Sequence, residues 1–181
     1  EKEILKAWPK DSILKPDEVQ GSYASLQEAI KKDGWPTLGA VRGKILFFLL
    51  TSAERRAVYT RENTTLKGKL MFASGPVDSP ITAITKMDDP TKTDEIQKAL
   101  KAGILVRTRS DTNPRGDKAA NEKRLAAALA SGAQFVSTDF PDARDDGYVA
   151  TIPGGTPARC NPILAPPDCT PSALEQGKTT P

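Results

Sequence analysis

The most informative absence in this sequence is that of histidine, since none of the 181 residues is one. Serine hydrolase chemistry with a histidine base is therefore excluded for this chain. Any reaction that requires histidine as a general acid or base needs residues from outside it. We expect no catalytic residue and no metal ligand within these residues.

Long apolar runs and charge of one sign are also scarce. The longest apolar run, Ile45 to Leu50, is far too short to span a bilayer, which takes about 20 residues. The net charge is only +3, from 26 basic and 23 acidic residues, and it forms no block of like charge. We therefore expect that the protein is not an integral membrane protein, that it has no nucleic-acid partner, and that it makes at most a peripheral contact with membranes.

Cysteine is rare, and its placement favours a structural role. Cys160 and Cys169 flank a proline-rich loop and lack the Cys-x-x-Cys spacing of zinc or redox sites. A local disulfide is the favoured interpretation, and two free thiols are the alternative. Asn63-Thr64-Thr65 is a glycosylation sequon, so that Asn63 is a candidate acceptor. Together these features favour a secreted, extracellular protein.

The remaining pattern alternates strands with helices. The candidate strands are Ile45 to Leu50, Leu70 to Ser74, Ile104 to Arg109 and Gln134 to Asp139, and helical stretches lie between most of them. The sequence therefore predicts an α/β fold with about four parallel strands. By pattern alone it is either half of an eight-stranded barrel or a small open sheet. We expect this domain to span residues 1–152, and a Pro/Gly-rich tail to span residues 153–181.

Candidate binding residues lie where the last two predicted strands end, because functional groups gather at the carboxyl ends of parallel strands. Arg107 and Arg109 alternate along one strand and share a face, and Asp111 follows them. Ser137 and Asp139 share a face of the next strand. The guanidinium fork suits a phosphate or carboxylate ligand. The alternative is a structural ion network in which both arginines pair with Asp111 and Asp139.

Several blocks of this sequence resemble the second half of the calcium-dependent phosphoinositide phospholipase C group. They are Gly34-Trp35-Pro36-Thr37-Leu38, Arg42-Gly43-Lys44 with the apolar strand after it, Val106-Arg107-Thr108-Arg109-Ser110-Asp111, Ala130-Ser131-Gly132-Ala133-Gln134 with Ser137-Thr138-Asp139, and Gly154-Gly155 with Ala158-Arg159-Cys160-Asn161-Pro162. The resemblance covers the chain from about Ile4 to Cys169 and keeps the family's order.

This resemblance implies a distorted (β/α)8 barrel that cleaves the phosphodiester of phosphatidylinositol through attack of an inositol hydroxyl. In the family, two histidines act as base and acid, and a calcium ion stabilises charge on the phosphate. These histidines and most calcium ligands belong to the first half of the barrel. The second half supplies the wall that holds the inositol ring, and Arg107 and Arg109 match the arginine-bearing strand of that wall.

One departure from the family pattern concerns the headgroup. Signalling relatives carry lysines that hold ring phosphates where this chain has Phe47-Phe48-Leu49-Leu50, which favours plain phosphatidylinositol. Two other functions remain open, a non-catalytic binding module and a glycerophosphodiester phosphodiesterase, to which Thr138-Asp139-Phe140-Pro141 is loosely similar. A half barrel exposes strand edges, so the expected partner is the protein's own N-terminal half or a second chain.

Overall fold

A computed structural model describes residues 1–61, 65–112, 117–155 and 157–176 of the chain. The chain divides into two compact units. Unit 1 consists of Glu1–Lys86 with Lys101–Leu105, and unit 2 consists of Met87–Leu100 with Val106–Pro181. The candidate glycosylation site, Asn63, lies outside the described residues.

The first part of unit 1 is helical. Its helices are α1 (Lys2–Ala7), α2 (Pro16–Gln20), α3 (Leu26–Lys32) and α4 (Ala53–Thr60). Pro16 begins α2, where its fixed φ suits a helix and its missing N–H costs nothing. Ser25 caps α3 by accepting a hydrogen bond from the Glu28 N–H at 3.1 Å. These local signals explain why the segment is broken into short helices.

The strands of unit 1 are short. They are β1 (Phe47–Leu49), β2 (Met71–Ala73) and β3 (Ile84–Lys86). β1 pairs with β2 in parallel, with Phe48 opposite Phe72. The core beneath them is apolar and fully enclosed, and it includes Ile13, Leu26, Leu66, Phe72 and Ile84. The first two predicted strands are thus present.

Two details of unit 1 differ from the sequence prediction. The apolar run from Ile45 predicts a strand buried on both faces, yet all of β1 is half-buried and Leu50 is exposed. Among the described residues of unit 1, β1 pairs with β2, and Ile45 just before β1 forms an isolated bridge with Ile13. The short strand β3 is not predicted, because Thr82-Ala83-Ile84-Thr85 has too few large apolar residues to stand out.

Unit 2 is organised around a β/α/β crossover. Helix α5 (Thr93–Lys101) leads to β4 (Leu105–Arg109), and α6 (Lys118–Ala130) connects β4 to β5 (Phe135–Ser137). β4 and β5 are parallel, with Arg109 opposite Ser137. Asp117 caps α6 through the Ala120 N–H at 2.7 Å, and Gly132, at φ 82°, ends it. The predicted crossover is confirmed.

The tail packs against the end of α6. Cys160 and Cys169 form a disulfide, which confirms the predicted pairing. The Asn161 amide donates to the Gly132 carbonyl at 2.6 Å, and the Arg159 guanidinium donates to the Leu129 carbonyl. A short helix, α7 (Pro171–Gln176), follows the disulfide and is not predicted from the sequence. The division of the chain at residue 152 stays a prediction.

The architecture is therefore α/β, with parallel strands and flanking helices. Neither unit closes into a barrel within the described residues. No helix among those residues is long and apolar enough to cross a membrane.

Candidate functional site

Strand β4 separates an apolar face from a basic one. Val106 and Thr108 are completely buried, whereas Arg107 and Arg109 are partly exposed on the opposite face. This alternation follows from the two-residue period of a strand and confirms that the two arginines share a face. Two cationic side chains thus stand side by side at the carboxyl end of β4.

Arg109 is held by two carboxylates from the loops that follow β4 and β5. Its Nε lies 3.4 Å from Asp111 Oδ1, and its Nη2 bonds to Asp139. The pairing register explains this arrangement, because Arg109 lies opposite Ser137 and the two parallel strands then continue into their loops at the same edge of the sheet. The alternative ion network predicted from the sequence is present for Arg109. Asp139 remains about half exposed, at 52%.

Asp111 is the buried centre of this group, with no exposed side-chain surface. Its carboxylate accepts hydrogen bonds from Thr138 Oγ1 at 2.6 Å, from Ser110 Oγ at 3.0 Å and from the Asp139 N–H at 3.3 Å. A buried charge is stable only when it is paired and hydrogen-bonded, as this one is. Asp111 therefore reaches a ligand only through Arg109, whose position it fixes.

Tyr148 lies against the same buried group and is itself enclosed. Its burial, together with the charge of Asp111, raises the pKa of the Tyr148 hydroxyl, although the Ser110 hydroxyl acts in the opposite direction. The ring packs edge-on against Phe140, with centroids 5.7 Å apart. Behind Arg109, Asp111 and Tyr148 therefore form a buried support.

Arg107 has a different partner, which sequence reasoning missed. Its guanidinium pairs with Asp88, in the loop before α5, and not with Asp111 or Asp139. The Met87 N–H donates to the Arg107 carbonyl at 2.9 Å, which brings Asp88 beside β4. The signal that could have revealed it is the pair Asp88-Asp89 two residues after the end of β3, but β3 is too short to be recognised.

The two arginines differ in how much of their hydrogen-bonding capacity remains for a ligand. A guanidinium has five N–H donors. Within the described residues, Asp88 engages one nitrogen of Arg107, whereas Asp111 and Asp139 engage two nitrogens of Arg109. Arg107 therefore has more guanidinium N–H groups available to a ligand than Arg109 has.

The hydroxyl of Ser137 is turned toward the backbone. Its Oγ donates to the Thr108 carbonyl at 3.2 Å, and its carbonyl accepts the Ser110 N–H at 2.9 Å. The structure thus brings together Arg109, Asp111 and Asp139, and places Ser137 between their two strands. A role of Ser137 in binding stays a prediction.

A calcium site does not fit the residues that the structure describes. No group of three or more acidic, histidine or cysteine side chains among them could hold a metal ion. The carboxylates at the carboxyl ends of β4 and β5 are already paired with Arg109. A guanidinium at that position repels a cation, so these carboxylates are poor calcium ligands as they stand.

The fold of this chain is α/β with parallel strands, and comparisons with known proteins give its family. The sequence profile described as phosphoinositide phospholipase C, Ca2+-dependent, matches residues 1–162. The chain therefore belongs to this family. No curated protein matches it.

A solved structure supports the same fold. It is described as a Ca2+-dependent phosphatidylinositol-specific phospholipase C enzyme from Streptomyces antibioticus, with a TM-score of 0.54 at 16% identity. The match covers 75% of this chain and 56% of that one. The chain thus spans little more than half the length of this relative, and at this identity the likeness concerns the fold alone.

Proposed function

We propose that this chain is part of a phosphoric diester hydrolase that acts on phosphatidylinositol, and that it supplies the wall that binds the inositol phosphate. The observation that carries the proposal is the pair Arg107 and Arg109 at the carboxyl end of β4, partly exposed and held from behind by acidic residues. The family match supports the substrate class.

The chemistry of the pair suits a polyol phosphate. The free N–H groups of Arg107 donate to phosphate oxygens or ring hydroxyls, and the exposed carboxylate of Asp139 accepts from a neighbouring hydroxyl. Ser137 and Asp139 then belong to the ring-binding side, and Asp111 acts through Arg109. The resemblance, which matches Phe47–Leu49 to the strand where signalling relatives carry lysines, favours phosphatidylinositol itself as the substrate.

Catalysis requires groups that these residues do not supply. We propose that the two catalytic histidines and the calcium ligands lie in another part of the protein, or in a second chain, that completes the barrel. The family match, whose description names calcium dependence, supports this assignment. Calcium would stabilise negative charge on the phosphate when it is bound.

We also propose that the protein is extracellular, with at most a peripheral contact with membranes. The Cys160–Cys169 disulfide supports an oxidising location, because such bonds are rare in the cytosol.

The test is calorimetric titration of the complete protein with myo-inositol 1-phosphate. We expect Arg107→Ala to weaken binding about ten- to a hundredfold, the cost of charge-assisted hydrogen bonds. Lys123→Ala, which removes an exposed charge from α6, is the matched control and should leave the affinity unchanged. Equal affinity of wild type and Arg107→Ala would refute the binding wall. Binding without any turnover of phosphatidylinositol would favour a non-catalytic module.

A further inference from the structure

We propose that Asp88 is a positioning residue that fixes Arg107 for the ligand, and that Arg124 in turn fixes Asp88. The inference rests on the proposed function and extends it to two residues outside the predicted site. Among the described residues, the Arg107 guanidinium pairs with the Asp88 carboxylate through one nitrogen, which leaves its other nitrogens for a ligand.

The loop that carries Asp88 is fastened at both ends. The Met87 N–H bonds to the Arg107 carbonyl at 2.9 Å, so the loop starts in register with β4. Asp89 closes its far end by accepting from the Thr91 N–H at 3.0 Å and the Thr91 hydroxyl at 2.7 Å. These two bonds lower the pKa of Asp89 and keep it ionised. The carboxylate of Asp88 is therefore presented from a fixed backbone.

Arg124 connects this loop to helix α6. Its guanidinium donates to the Asp88 carbonyl, and its Nη1 lies 3.7 Å from Asp89 Oδ1. The side chain is mostly buried, and its Nε is enclosed without a hydrogen-bond partner among the described residues. An enclosed donor without a partner lowers folding stability, so the position of Arg124 is not the one that would give the most stable fold.

The exposure of the Asp88–Arg107 pair decides between a stabilising and a positioning role. The side chains are 45% and 25% exposed, and partly exposed ion pairs add little to folding stability. Holding a long side chain in one orientation before the ligand arrives, however, removes an entropic cost from binding. The pair should therefore affect affinity more than stability.

The experiment is a double-mutant cycle in the complete protein, titrated with myo-inositol 1-phosphate. We expect Asp88→Asn to weaken binding about three- to thirtyfold in the wild-type background and to have no further effect in Arg107→Ala. Asp88→Glu, which keeps the carboxylate, should recover part of the loss. Thermal unfolding of Asp88→Asn should match that of wild type.

Two further variants complete the design. Arg124→Gln leaves Arg107 and Asp88 intact and should weaken binding only when Arg107 is present. Glu95→Gln is the matched control, because Glu95 pairs with Lys92 at 3.2 Å on the exposed side of α5. Its affinity should equal that of wild type.

The outcomes separate the two proposals. If Asp88→Asn binds as well as wild type or better, or loses as much affinity in Arg107→Ala, the positioning role is overturned while the binding wall stands. If Arg107→Ala itself binds like wild type, the proposed function is overturned and the positioning role with it.

Discussion

Replacing Asp111 by alanine should be among the most destabilising changes in unit 2. The carboxylate is fully buried, whereas two of the groups that bond to it, Thr138 and Asp139, are only partly buried. Thr138 Oγ1, at 2.6 Å, and the Asp139 N–H, at 3.3 Å, lose their acceptor. A hydrogen bond to a charged group contributes about 1.5–3 kcal/mol.

The other two partners of Asp111 lose less. Ser110 Oγ also lies 3.0 Å from the Ser137 carbonyl, which remains as an acceptor. Arg109 keeps Asp139 and is partly exposed to water, so its charge is not stranded. We therefore expect Asp111→Ala to lower the free energy of unfolding by about 3–4 kcal/mol. Asp111→Asn, which keeps one acceptor oxygen, should cost about half as much.

Urea and thermal denaturation of the complete protein provide the assay. A loss of this size corresponds to a fall in Tm of about 6–15 °C for a domain of this length. Asp142→Ala removes an exposed carboxylate from the same unit and should leave Tm within about 1–2 °C of wild type. A loss below about 1 kcal/mol for Asp111→Ala would show that the buried carboxylate does not organise the ends of β4 and β5.

Two further predictions concern pH and the tail. Burial, and after it the charge of Asp111, raises the pKa of the Tyr148 hydroxyl in the folded protein. The contribution of Tyr148 to stability is therefore complete below the unfolded pKa of about 10 and is lost as the pH rises through the folded pKa. Urea midpoints measured at neutral pH and above pH 10 should therefore fall less in Tyr148→Phe than in wild type, and an equal fall would contradict this reasoning. Removal of the disulfide in Cys160→Ser/Cys169→Ser, with a sequence separation of 9, should lower the free energy of unfolding by about 2.5 kcal/mol, measured by urea denaturation without reductant. An unchanged urea midpoint would show that contacts such as Asn161 with Gly132 hold the tail unaided.

Much of unit 2 could be predicted because its signals are local. A capped helix of 13 residues between two apolar strands indicates a crossover, and the alternation of β4 is enough to place both arginines on one face. The contact of Arg109 with Asp139 also follows from the rule that parallel strands end at the same edge. These inferences need only periodicity and the direction of the chain.

The partner of Arg107 could not be predicted in the same way. It depends on the loop after β3, a strand of three residues that is too short to form a recognisable pattern. Which of several nearby carboxylates an arginine selects is set by strand register and loop geometry, and neither is visible in residue spacing. Helix α7 also could not be predicted, because it lies in a proline-rich tail whose sequence has no helical period.

The local origin of the supports for Arg107 and Arg109 has a consequence for protein engineering. Asp88, Arg124, Asp111 and Asp139 all belong to unit 2, and the stretch from Met87 to Asp139 contains every carboxylate that pairs with the two guanidinium groups among the described residues. This stretch therefore holds the supports of both arginines in one continuous part of the sequence, whereas grafting the arginines alone would leave their supports behind.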